Sequence, residues 1–168
     1  MIESAAIFLL SACALPGQAS SPHFENDILP LLGRHGCNAS GCHGKAEGQG
    51  GFKLSVLGSD PDADRAAIVK EGRGRRVSPS SPDESLLLRK ASGRVAHGGG
   101  VKIPSGSEDY QAMRAWIAIG SPAGSPDAPT LASIRVEPEA GVMGPVSTTR
   151  LRVLARFSDG REKDVTRH

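Results

Sequence analysis

The sequence predicts a mainly α fold: a small helical domain followed by an incomplete all-β segment. Three observations carry this expectation. Apolar residues recur at helical spacing in several short segments between Phe24 and Ile119. A stretch rich in Ser, Pro and Asp, residues 123–130, interrupts the pattern and reads as a linker. Beyond it the apolar period drops to two: in "RLRVLARF", Leu151, Val153, Ala155 and Phe157 alternate with Arg150, Arg152, Leu154 and Arg156.

In chain order, residues 1–19 read as a signal peptide. The apolar run from Ala5 to Leu15 is too short to span a bilayer. Gly17-Gln18-Ala19 suits cleavage after Ala19, although Glu3 stands where a leader normally carries positive charge. Leu10-Ser11-Ala12-Cys13 resembles a lipobox, and a membrane is expected as a partner only with Cys13 lipidated. The expected location is therefore outside the cytoplasm, periplasmic or in the cell envelope. Removing the leader leaves two cysteines, Cys37 and Cys42, in an oxidising compartment.

Residues 20–122 form the predicted helical domain. In "SPHFENDILPLLGRHG", Phe24, Ile28, Leu31 and Leu32 share a helical face. Pro30 requires this helix to begin near Asn26 or Asp27, or to kink. Gly33 and Gly36 end it. A glycine-rich loop, Gly44 to Gly51, leads into the short apolar stretch "FKLSVLG". Asp60 then reads as an N-cap with Pro61 at the first helical position. Ser81 to Glu84 reads as a capping box, with Gly93 as the stop. Ser107 caps the last helix, whose apolar face is Tyr110, Met113, Trp116 and Ile117; Gly120 and Pro122 end it.

Residues 131–168 form the β segment. "LASIRVEP" is the first strand, "RLRVLARF" the second, and Asp159-Gly160 turns the chain into a third beginning "REKDVT". Three strands cannot close a sandwich of about seven, so the chain is expected to be the front end of a longer protein.

Composition narrows the function. The net charge is only +2, which gives no nucleic-acid or membrane-surface footprint. Glycine is abundant at 21 residues and aromatics are few. A loop-rich, aromatic-poor domain struggles to bury enough apolar surface by itself and often leans on a disulfide, a metal or a cofactor.

The stretch Cys37-Asn38-Ala39-Ser40-Gly41-Cys42-His43 offers all three. A covalently attached haem needs two thiols against its vinyl groups and an imidazole directly after the second thiol. The four-residue spacer is longer than the usual two, but its residues are small and turn-prone and can bulge. A plain Cys37–Cys42 disulfide is an equal reading of the spacing. A zinc site from Cys37, Cys42, His43 and one more ligand is a lesser one. A haem iron asks for a second axial residue. His97, in "VAHGGGVKIPSG", is the best candidate. Met113 reads as core, His35 lies too near Cys37, His23 is expected at the surface, and Met143 belongs to the β segment. Arg73, Arg75 and Arg76 are weaker candidates for pairing with haem propionates.

Taken together, "FENDILPLL", "GCNASGCHG", "GQGGFKLSVLGSDPDAD", "GRRVSPSSPDESLLLRKASG" and "HGGGVKIPSGSEDYQAMRAWIAIGSP" resemble the planctomycete-type cytochrome c domain, over about Phe24 to Pro122. The C-x4-C-H form is usual in that family. Ala96 stands where relatives often have Pro. The tail resembles the start of a bacterial Ig-like domain. The resemblance implies a small cytochrome c-like helical domain around a covalent haem c. It makes Cys37 and Cys42 the thioether anchors and His43 the proximal iron ligand, and it favours His97 as the distal one.

The expected function is an exported c-type cytochrome module that transfers single electrons to a redox partner protein, or to C-terminal domains of the same full-length protein. One alternative is a non-redox structural or adhesive ectodomain with a Cys37–Cys42 disulfide. Another is an electron-feeding domain of a larger oxidoreductase. No catalytic centre is visible in the chain: it has no nucleophile elbow, phosphate loop or dinucleotide fingerprint.

Overall fold

The computed structural model of the protein describes residues 21–167. The predicted leader, with Cys13, lies outside the described residues. Among the described residues are four short α-helices: α1 (Leu29–Arg34), α2 (Pro61–Val69), α3 (Leu86–Ala91) and α4 (Glu108–Ala118). Three strands follow: β1 (Leu131–Glu137), β2 (Arg152–Phe157) and β3 (Glu162–Asp164). No helix among the described residues is long and apolar enough to cross a membrane.

The expectation of a mainly α, cytochrome c-like fold is overturned. Helix accounts for 31% of the residues and strand for 12%, and the sheet is a small antiparallel one of three strands. This is a mixed, loop-rich architecture. Nor do three strands make the two packed sheets of an Ig-like sandwich. The physical reason lies in the glycines. Gly36, Gly58, Gly72, Gly74, Gly93 and Gly120 all sit at positive φ and stop or prevent helices, so none exceeds eleven residues.

Pro30 shapes the entry to α1. A wide π-type turn over Phe24–Ile28 precedes it, in which the Leu29 N–H donates to the Phe24 carbonyl. Pro30 thus falls in the first turn of α1, where no N–H is required of it. The cap of α2 is as expected: Asp60 accepts from the Ala63 N–H at 3.0 Å. The Ser81–Glu84 capping box does not form. Pro82–Glu84 is a single 3-10 turn whose Ser81 side chain caps nothing. The Glu84 carboxylate instead meets Arg94 at 2.8 Å. Ser107 does cap α4, accepting from the Tyr110 N–H at 3.2 Å.

The helical part has one core. Phe24, Ile28, Leu32, Leu54, Ile68 and Trp116 are among its fully buried side chains. The Phe24 and Trp116 rings pack with centroids 5.6 Å apart. Trp116 Nε1 donates to the Pro122 carbonyl at 2.9 Å, and the Phe24 N–H donates to the Ala123 carbonyl at 2.9 Å, so the exit strap returns to the start of the domain. All four predicted residues of the α4 apolar face are buried.

In the sheet, β2 is central, with Ile134 opposite Ala155 and Val136 opposite Val153. The β2–β3 hairpin turns at Gly160, φ +84°, as its Asp-Gly signal predicts. The expected one-sided alternation fails at one point. Leu154, grouped with the arginines, is buried beside Ala155, while Leu151 on the supposed inner face is 50% exposed. Both faces of β2 are therefore covered near its middle.

Candidate functional site

The site begins where α1 ends. Leu31 and Leu32 anchor α1 in the core. The Cys37 N–H donates to the Leu32 carbonyl at 2.8 Å, with Gly36 at φ +68°, so the first thiol emerges directly from the helix end. The predicted bulge follows. The chain doubles back until the His43 N–H donates to the Cys37 carbonyl at 3.0 Å. This closure gathers Cys37, Cys42 and His43 on one wall of a cleft. Both thiols are free. Burial, and then the neighbouring Cys42, push the Cys37 thiol up to about 11, so it is held protonated at neutral pH.

The glycine-rich loop explains the imidazole. Gly50 and Gly51 are both at positive φ, 59° and 74°, and form the two-residue turn of a miniature hairpin between Gln49 and Phe52. Gly48 lets the strands approach: a Cβ there would lie 2.3 Å from the Phe52 carbonyl oxygen. That carbonyl accepts a hydrogen bond from His43 Nδ1 at 2.9 Å. A carbonyl can only accept, so Nδ1 carries the proton and Nε2 keeps its lone pair. Burial is the main cause holding the His43 pKa below its usual value, so the ring is neutral at pH 7.

His97 mirrors this arrangement. Its Nδ1 bonds the Gly100 carbonyl at 2.9 Å, again leaving Nε2 as the lone-pair nitrogen. The two rings are almost parallel, with an interplanar angle of 6° and centroids 6.3 Å apart. The structure thus brings together all four predicted site residues, Cys37, Cys42, His43 and His97.

The cleft between them has a volume of about 750 Å³. Buried Met113 lines it from α4. Its charged lining residues are Arg75, Arg76, Lys90 and Lys102, with no carboxylate among the lining side chains. His35 and Met143, set aside in the sequence, and the weak candidate Arg73 lie elsewhere. His35 is bonded to Asp109 at 2.7 Å, Met143 is 57% exposed, and Arg73 does not line the cleft. Arg76 is not free for a propionate. Its guanidinium is buried and donates to the Ala67 carbonyl at 2.6 Å and to the Gly51 carbonyl. Sequence reasoning missed the Phe52 carbonyl, and it read Arg76 as a weak propionate partner where the structure buries it against main-chain carbonyls. The Gly50-Gly51 pair, a hairpin dipeptide, was the available signal for the first.

Among the described residues, no three His, Cys, Asp or Glu side chains assemble to hold a metal ion. The zinc expectation therefore finds no ligand set here. A haem iron asks less, namely two axial side chains. The near-parallel His43 and His97 rings, with centroids 6.3 Å apart, are each tied to a carbonyl through Nδ1, which leaves two Nε2 atoms as the donor set. The cleft volume also lies within the roughly 300–1,000 Å³ of cofactor pockets. The residues present fit the group. No family model, curated protein or solved structure matches this chain.

Proposed function

We propose that this chain holds a covalent haem and acts as a one-electron transfer module. One observation carries the reading. The His43 and His97 rings stand parallel, 6.3 Å apart, across a cleft that also receives two free thiols. The words that resemble the planctomycete-type cytochrome c domain, which include all four residues, support the same reading.

Each residue has a part. Cys37 and Cys42 present thiols for thioether attachment. His43 would offer Nε2 to the iron, and the Phe52 carbonyl fixes its tautomer. His97 would offer its own Nε2, with the tautomer fixed by the Gly100 carbonyl. Haem, when bound, supplies reversible one-electron exchange between ferric and ferrous iron. The apolar side chains Leu32, Ile103 and Met113 exclude water from the cleft wall. The exposed Arg75, with Lys90 and Lys102, supplies the positive charge that suits two propionates. The acceptor of the electron is a partner protein or a further domain, reached from outside the cytoplasm.

The test is a denatured pyridine-haemochrome spectrum. The protein is co-expressed with a cytochrome c maturation system and washed with acidified organic solvent. We expect a c-type α-band that survives extraction and is lost from the Cys37→Ser/Cys42→Ser double variant. An extracted protein with no haem, beside a competent control, rejects the reading.

A further inference from the structure

We propose that Arg76 is a positioning residue for His43, acting through the Gly51–Phe52 carbonyl segment. The inference rests on the haem reading above. It starts from an unusual burial. Arg76 is only 5% exposed, yet its guanidinium donates to carbonyls, Ala67 on α2 at 2.6 Å and Gly51 in the hairpin. Arginine is seldom buried without a carboxylate. Here no carboxylate bonds the guanidinium directly: the charge is met by two carbonyl dipoles and by the face of Phe52, whose ring centroid lies 4.7 Å from Cζ, with Glu71 acting only through its field. Gly72, at φ +61°, leaves the room, since a Cβ there would come within 3.2 Å of Nη1.

The consequence falls on the imidazole. Phe52 is held twice, by the fork on the preceding carbonyl and by the guanidinium on its ring. The same residue touches His43 twice. Its carbonyl accepts from Nδ1 at 2.9 Å, and its ring lies 4.6 Å from the imidazole. A continuous chain of contacts thus runs from α2 through Arg76 and Phe52 to His43. The chain fixes which nitrogen carries the proton and how the ring is turned. Lysine cannot replace this fork: it brings the charge, but not two donors in a rigid plane.

The decisive variant is Arg76→Lys, which keeps the charge and loses the fork. In haem-free protein, nitrogen-15 NMR of labelled histidine reads the His43 tautomer. We expect a single Nδ1–H form in the wild type and a mixture of tautomers in Arg76→Lys. In haem-loaded protein we expect unchanged covalent haem and a broadened low-spin ferric EPR spectrum. The midpoint potential should rise, because a weaker Nδ1–H bond makes His43 a less basic ligand. Wild-type tautomer, EPR spectrum and potential in Arg76→Lys overturn the proposal, even if its Tm falls. If Arg76→Lys does not fold, Phe52→Leu removes the platform under the guanidinium while keeping the carbonyl. It should move the same signals in the same directions, and unchanged signals overturn the proposal. A wild type without covalent haem rejects the functional reading, but leaves the tautomer measurement to decide on Arg76.

Discussion

The loop from Cys37 to Gly44 closes only because Gly44 has no side chain. A Cβ at that position would lie 2.1 Å from the Asn38 carbonyl oxygen, a backbone atom that cannot rotate away. The Gly44 N–H also donates to the Ala39 carbonyl at 3.0 Å, holding the turn that carries both thiols. Gly44→Ala should therefore destabilise the fold by roughly 1–3 kcal/mol and reduce covalent haem yield. Urea unfolding and the haemochrome assay read the two effects, and a variant with wild-type values in both contradicts the closure. The opposite wall gives a second prediction. Two imidazoles lack the thioether that raises iron potentials in His/Met sites. His97→Met should raise the midpoint potential in a potentiometric titration. An equal or lower value in the variant removes His97 from the iron.

Among the elements, α1 and α4 are pinned by one carboxylate. Asp109, in the first turn of α4, accepts from His35 Nε2 at 2.7 Å and pairs with Arg34, both at the C-terminal end of α1. Burial would raise the Asp109 carboxyl, but the hydrogen bonds from His35 and Arg34 outweigh it and hold the pKa below the usual carboxylate value. A depressed folded pKa stabilises the fold above the unfolded value of about 3.9, and that contribution is lost as pH falls through the folded pKa. Asp109→Asn should cost about 1 kcal/mol at pH 7 and flatten the acid limb of the stability curve. Parallel curves for wild type and variant in denaturant titrations would show that the clamp contributes nothing. Elements with such local chemistry were legible in the sequence. The caps at Asp60 and Ser107, the α4 apolar face and the Asp159-Gly160 turn all depend on residues a few positions apart. The Ser81–Glu84 box misled because Arg94, ten residues on, claims the Glu84 carboxylate. The role of Arg76 was misread for a like reason. Its partners are main-chain carbonyls at Gly51 and Ala67, which no side-chain pattern announces.

At the scale of the whole molecule, two cores share one chain. The cluster built on Phe24, Ile68 and Trp116 draws all its residues from the helical part, while the buried pair Leu154 and Ala155 belongs to the sheet and lies outside that cluster. Polar contacts and a shared pocket lie where the two parts meet, the pocket lined by His23, Asn26 and Asp27 on one side and Phe157 and Lys163 on the other. Asn26 Nδ2 donates to the Pro129 carbonyl at 2.8 Å, and Lys163 faces Asp27 at 3.5 Å. The exposed ion pair contributes about 1 kcal/mol or less to that coupling. The cleft is framed by α1, α3, α4 and the glycine loops, and none of its lining residues comes from the sheet. Binding stabilises only the unit whose folded state holds the ligand. Haem loading should therefore slow amide exchange in α1, α3 and α4 and in the loops carrying His43 and His97. It should leave β1, β2 and β3 unchanged. Hydrogen–deuterium exchange on haem-loaded and haem-free protein reads this directly. Protection rising equally in the sheet would mean that the polar seam transmits the full stabilisation and that the molecule unfolds as one unit.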